Sequence, residues 1–150
     1  MIGPGVSLQL QLDHLAALNR GDDIPQATVL IVDDEEAVRE TLSEALSFHG
    51  YRVISAATDQ EAEEIKQRVG VGAIQLVVAD IHLTREPQAR AGYALAQRWR
   101  ALHPELPFIL MSGDSGNQDL PDIRAGVVRF LVKPFSMTVF LDAVREALVR

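Results

Sequence analysis

Five positions in this chain carry side chains suited to charge chemistry, and each closes a short apolar run. Asp33 and Asp34 follow TVLIV, Asp80 follows IQLVVA, Ser112 follows FILM, and Lys133 follows VVRFLV and precedes Pro134. If the three aspartates converge, two carboxylates about 4 Å apart repel by roughly 4 kcal/mol at an effective dielectric of about 20. Either one takes up a proton or a cation neutralises the group. A site made only of oxygen donors and open to water suits Mg²⁺, with Mn²⁺ as the alternative. Taken singly, each residue has a plainer reading. The acidic run from Asp33 to Glu36 could cap a helix and favour its N-terminal dipole. Asp80 could be a loop residue, Lys133 a surface lysine, and Ser112-Gly113-Asp114 a turn. Their joint placement at four run ends is what chance explains poorly.

The elements that would position these residues follow from periodicity. Thr28–Val32 is an apolar, β-branched run of the kind buried on both faces of a sheet. Glu35–His49 follows with Val38, Leu42, Ala45 and Leu46 on one stripe, ended by Gly50. Tyr51–Ala56, Ile74–Ala79, Phe108–Met111 and Val127–Val132 are the other expected strands. Asp59–Val69 and Tyr93–Leu102 are expected helices. Asn117–Arg124 is a weaker one, interrupted by Pro121. Ser136 caps a last helix to Val149 that should bury Val139, Phe140, Ala143, Val144, Ala147 and Leu148. Strands alternating with helices imply parallel βαβ units with right-handed crossovers. Such a sheet binds ligands beyond the carboxyl ends of its strands, where strand order reverses. Periodicity does not reveal that order.

Residues 1–27 differ from the rest. Leu8, Leu12, Leu15 and Leu18 fit a short helix, whereas Leu8, Leu10 and Leu12 also fit strand alternation. The segment is expected to be a partly helical extension, serving as a packing appendage, a linker or a dimerisation helix that would make a homodimer. The 150 residues have room for one further domain, 28–150. A net charge of −7 argues against a direct nucleic-acid partner, whose affinity rests on Lys and Arg. Arg85, Arg90, Arg98 and Arg100 gather, but Glu86 and Glu105 lie among them. The absence of cysteine excludes disulfides and thiolate metal sites and suits a reducing cytoplasm. No signal peptide or membrane insertion is expected.

Residues 28–149 resemble the receiver domain of bacterial response regulators. The stretches that carry the likeness are VLIVDDEEAVRETLSEAL, LVVADIHL, LPFILMSGD and FLVKPFSMTVFLDAV. The wording LHPELPFILMSG is similar to receivers attached to sensor kinases. The resemblance implies a flavodoxin-like, doubly wound α/β fold with a five-stranded parallel sheet in the order 2-1-3-4-5 and five helices. It also implies that Asp80 accepts a phosphoryl group from a phosphohistidine on a sensor histidine kinase or phosphotransfer protein. Asp34, Asp80 and the backbone carbonyl of His82 would ligate Mg²⁺, with Asp33 behind them or acting through water. Lys133 would contact the phosphoryl group, with a cis bond to Pro134. Ser112 would hydrogen-bond a phosphoryl oxygen after transfer, and Phe130 would be the switch aromatic that turns inward. His82 and Asp114 lie where they could tune attack by water.

Two stretches depart from the family pattern. Receivers commonly have a proline four residues after the acceptor and a glycine eight after it. Here Thr84 and Gln88 stand there, Gly92 is the matching glycine, and the loop Thr84–Ala91, with Arg85, Glu86 and Arg90, is about four residues longer. That loop is expected to be a tolerated surface insertion, with shielding of the acyl phosphate or choice of partner as the alternative. Ser115–Ala125 holds Gly116, Asn117 and Pro121, so the fourth helix should be short or mobile. The expected function is a phosphoacceptor signalling module, not an enzyme acting on a separate substrate, with no output domain in the chain. Two alternatives are a phosphorylation-independent interaction module and an aspartyl-phosphate phosphatase similar to the haloacid dehalogenase group. The phosphatase would need Asp-x-Asp after the first strand, whereas Asp80 follows the third and its +2 residue is His82.

Overall fold

The structure, a computed structural model, describes residues 27–83 and 90–149. All but the last residue of the expected partly helical extension 1–27, and most of the extended loop at 84–91, therefore lie outside the described residues. Five parallel strands, β1 (Thr28–Val32), β2 (Arg52–Ala56), β3 (Leu76–Asp80), β4 (Phe108–Ser112) and β5 (Arg129–Val132), form one sheet in the order β2-β1-β3-β4-β5. Between and after them come α1 (Glu36–Phe48), α2 (Asp59–Val69), α3 (Ala91–Leu102), α4 (Pro121–Arg124) and α5 (Met137–Leu148). This is the doubly wound, flavodoxin-like architecture expected from the sequence.

Period-2 alternation divides the strands between two cores. On one face Leu30, Val32, Val77, Ala79, Phe108 and Leu110 pack with Ala62 and Ile65 of α2 and Leu95, Ala96 and Trp99 of α3. On the other, Val29, Ile31, Leu76, Val78, Ile109 and Met111 pack with Leu42 and Leu46 of α1 and Phe140 and Val144 of α5. Helices on both faces explain why β1, β3 and β4 are buried throughout and read as unbroken apolar runs. The edge strand β5 leaves Arg129 and Val132 exposed.

Several element limits differ from expectation for local reasons. Val71–Ala73 form a 3₁₀ turn, so β3 begins at Leu76 rather than Ile74. The Val127 and Val128 N–H groups both donate to the Asp122 carbonyl, which delays β5 to Arg129. The fourth helix is broken in two. Ser115–Asp119 is a 3₁₀ turn, Leu120 is extended at φ −59°, ψ 140°, and Pro121 opens the one-turn α4. A residue before proline is pushed out of the helical region, and proline suits a first helical position. In α5, Ser136 Oγ accepts from the Val139 N–H at 3.1 Å as the cap. Val139, expected in the core, is instead 48% exposed. Phe140, Val144 and Ala147 form the buried stripe, and Val139 sits outside it.

Candidate functional site

The strand order decides where the acids meet. β1 and β3 are neighbours in parallel register, with Val32 level with Ala79. The residues that follow, Asp33 and Asp80, therefore leave the sheet side by side at its carboxyl edge. Asp33 is fully buried, Asp80 is 7% exposed and Asp34 is exposed. Carboxylate oxygens of all three lie within 4.8 Å of one another.

Lys133 arrives from the end of β5. Its Nζ donates to Asp80 Oδ2 at 2.7 Å and to Asp33 Oδ2 at 2.9 Å. The peptide bond between Lys133 and Pro134 is cis, and the Lys133 N–H donates to the Ser112 carbonyl at 2.9 Å. The other oxygen of Asp33 accepts the Glu35 N–H at 2.8 Å. The cap reading fails for this residue: the N-cap of α1 is Glu35, with no side-chain cap hydrogen bond, and Asp33 divides its oxygens between the turn before the helix and Lys133. Arg39 of α1 donates to the Asp33 carbonyl at 2.7 Å and ties the helix to this turn. Sequence reasoning did not single out Arg39, and only its position in space distinguishes it from other helix-surface arginines.

Asp80 Oδ1 accepts the His82 N–H at 2.8 Å. Burial raises the Asp80 carboxyl above the ordinary aspartate value of 3.8, and the Asp33 charge adds to this; the Lys133 and His82 hydrogen bonds oppose it without cancelling it. For Lys133, burial alone would lower the ammonium value. The hydrogen bonds to Asp80 and Asp33 outweigh that, and the net direction is upward from 10.5.

Gly92 explains how α3 approaches the end of β3. A Cβ built there would lie 1.8 Å from the Asp80 carbonyl oxygen, so only hydrogen fits. The Gly92 N–H donates to the Ile81 carbonyl at 3.0 Å and closes the base of the long loop, with Arg90 in the left-handed region at φ 42°.

Ser112 is 1% exposed at the end of β4. Its Oγ accepts from the Asp114 N–H at 2.9 Å and from the Asn117 amide at 2.8 Å. The Asn117 amide also lies 3.0 Å from His82 Nε2. Asp114 spends Oδ1 on the Gly116 N–H at 2.9 Å, holding its own turn. Phe130 is half-buried on β5, level with Leu110 and packed against the core on the α2 and α3 face. The fold thus brings Asp33, Asp34, Asp80 and Lys133 together, joins His82 to Ser112 through Asn117, and sets Asp114 and Phe130 to the side. Three clustered carboxylates, one of them exposed, present hard oxygen donors to a small divalent cation and no soft ligand. Among the described residues no helix is long and apolar enough to cross a membrane.

The family model described as the response regulator receiver domain matches residues 29–145. The sensor kinase CckA of Brucella abortus is 34% identical, over 98% of this chain and 17% of the kinase. The chain spans about half or less of the length of the curated relatives it matches. Among solved structures, the non-phosphorylated HemR receiver domain from Leptospira biflexa superposes with a TM-score of 0.70 at 32% identity, covering 83% of this chain and 96% of that one. The receiver domain of NtrX from Brucella abortus gives 0.68 at 30% identity, covering 80% and 97%. A family match across most of the chain, on a sheet whose order is the expected one, makes this chain a member of the response regulator receiver domain family, the signalling module of two-component systems.

Proposed function

We propose that Asp80 is the phosphoacceptor of a two-component phosphorelay. The observation that carries this reading is the Lys133 ammonium bonded at once to Asp80 and to the buried Asp33. A lysine so placed holds positive charge where a phosphoryl group on Asp80 would develop negative charge. Phosphoryl transfer needs positioning and charge neutralisation more than covalent help, and this cluster provides both. Asp34, Asp80 and the His82 carbonyl, with Asp33 behind them or through water, would hold Mg²⁺ (Mn²⁺ as alternative). When bound, the cation supplies charge neutralisation at the phosphoryl oxygens.

The donor is a phosphohistidine on a sensor histidine kinase or phosphotransfer protein. An Asp80 carboxylate oxygen attacks phosphorus, the P–N bond breaks, and its electron pair returns to the imidazole nitrogen. The product is an acyl phosphate. An open groove of about 480 Å³ beside Lys133, lined by Val38, Leu42, Pro134, Phe135 and Met137, offers the donor protein an apolar seat. After transfer, Lys133 and Ser112 bind the phosphoryl oxygens and Phe130 turns inward, biasing two packings of one domain.

Acetyl phosphate with Mg²⁺, followed by intact-mass measurement, tests the reading. One phosphate-sized increase is expected in the native chain and none in Asp80→Asn. No increase in the native chain with any small donor would make the domain an interaction module only.

A further inference from the structure

Asn117 is a buried amide in an exposed turn. Its neighbours Ser115, Gly116, Gln118 and Asp119 are exposed, whereas Asn117 is 2% exposed. The side chain points inward and joins two loops that carry the site. Nδ2 is 2.8 Å from Ser112 Oγ and 3.0 Å from His82 Nε2. His82 is itself bonded through its backbone N–H to Asp80 Oδ1, so the path from the carboxyl of Asp80 to the hydroxyl of Ser112 is continuous. The hydroxyl oxygen takes its two hydrogen bonds from Asn117 and from the Asp114 N–H, both on the loop that follows β4.

We propose that Asn117 is a positioning residue that latches Ser112 and His82 in the unphosphorylated arrangement. The inference rests on the phosphoacceptor reading of Asp80. A phosphoryl group on Asp80 would bring acceptor oxygens that compete for the Ser112 side chain, and moving Oγ toward them gives up the bond from Asn117. The cost of the broken bond is set against phosphorylation. The other ring nitrogen of His82, Nδ1, is buried with no hydrogen-bond partner among the described residues. That side of the ring gains nothing from its present pose, so Asn117 is the hydrogen bond that holds it. Losing the Ser112 bond leaves Asn117 held on that side by His82 alone, so the loops after β3 and β4 share one joint.

The test is a donor titration followed by intact mass, on the native chain, Asn117→Ala, Ser112→Ala and the double variant, with acetyl phosphate and Mg²⁺. The loss of one restraining hydrogen bond lowers the acetyl phosphate concentration that half-phosphorylates Asn117→Ala by about fivefold relative to the native chain. The same substitution changes nothing in the Ser112→Ala background, because the latch has no hydroxyl to hold. Asn117→Leu, similar in outline but without the donor, replaces Asn117→Ala if thermal melting shows that the smaller residue unfolds the turn. A native midpoint in the Asn117 variants, or an effect that persists without the Ser112 hydroxyl, overturns the latch while leaving the phosphoacceptor reading intact. Failure of the native chain to take up phosphate overturns both.

Discussion

Lys133 Nζ lies 2.7 Å from Asp80 Oδ2, joining the end of β5 to the end of β3 across two sheet positions. The same ammonium holds Asp33, whose side chain is wholly buried, at 2.9 Å. Two carboxylates this close survive folding because one cation serves both.

Lys133→Met removes that cation and leaves two carboxylates facing each other. A buried ion pair that loses one partner typically costs 3–5 kcal/mol; with Lys133 partly open to water, a loss of about 2 kcal/mol is expected. Urea unfolding of the metal-free chain measures it. Mg²⁺ should restore part of the loss, since it too neutralises the carboxylates. A native urea midpoint in Lys133→Met would show that the contact contributes no stability.

Mg²⁺ should bind the folded chain and raise its melting temperature, reversed by a chelator. At ten times the dissociation constant, a ligand bound only by the folded state stabilises it by about 1.4 kcal/mol. Asp34 is exposed, so Asp34→Ala should leave the metal-free melting temperature nearly unchanged and remove most of the Mg²⁺ response. A full response in Asp34→Ala would exclude Asp34 as a ligand.

The raised pKa of Asp80 gives a direction for the pH dependence of stability. A carboxyl whose folded value lies above its unfolded value contributes stability that is complete below the unfolded pKa. That contribution disappears as pH rises through the folded pKa. Asp80→Asn cannot lose a proton, so the metal-free variant should become more stable than the native chain above that range. Lys133 is raised as well, so its contribution holds below 10.5 and is lost only as pH climbs through its higher folded value. Parallel melting curves for the two proteins across the acid and neutral range would contradict the raised value for Asp80.

Gly92→Ala places a methyl group 1.8 Å from the Asp80 carbonyl oxygen, a backbone atom that cannot swing aside. Overpacking of this kind costs about 1–3 kcal/mol, and α3 must back away from the acceptor strand to relieve it. A lower melting temperature together with slower phosphorylation from acetyl phosphate is the expected pair of results. Normal stability would mean that α3 does not press on the Asp80 carbonyl.

The features legible in the residues alone are local and repetitive. The apolar, β-branched run of β1 announced a strand covered on both faces, because burial on alternate sides leaves no polar position. The 3.6-residue stripes placed α1, α2, α3 and α5 within a few residues, and the residues at the strand ends marked the candidate site. Pro121 announced the weak fourth helix, though not its division into a 3₁₀ turn and a single helical turn. The rest depends on how distant segments pack. Only the placement of β1 beside β3 brings Asp33 to Asp80, and only the reach of Lys133 across the sheet ties them together. Asn117 looks like any polar turn residue in a Gly- and Ser-rich stretch; its burial between Ser112 and His82 exists because two loops 35 residues apart fold over one strand end. Periodicity records which face of an element is buried, whereas partners distant in sequence are chosen by packing among all the elements at once.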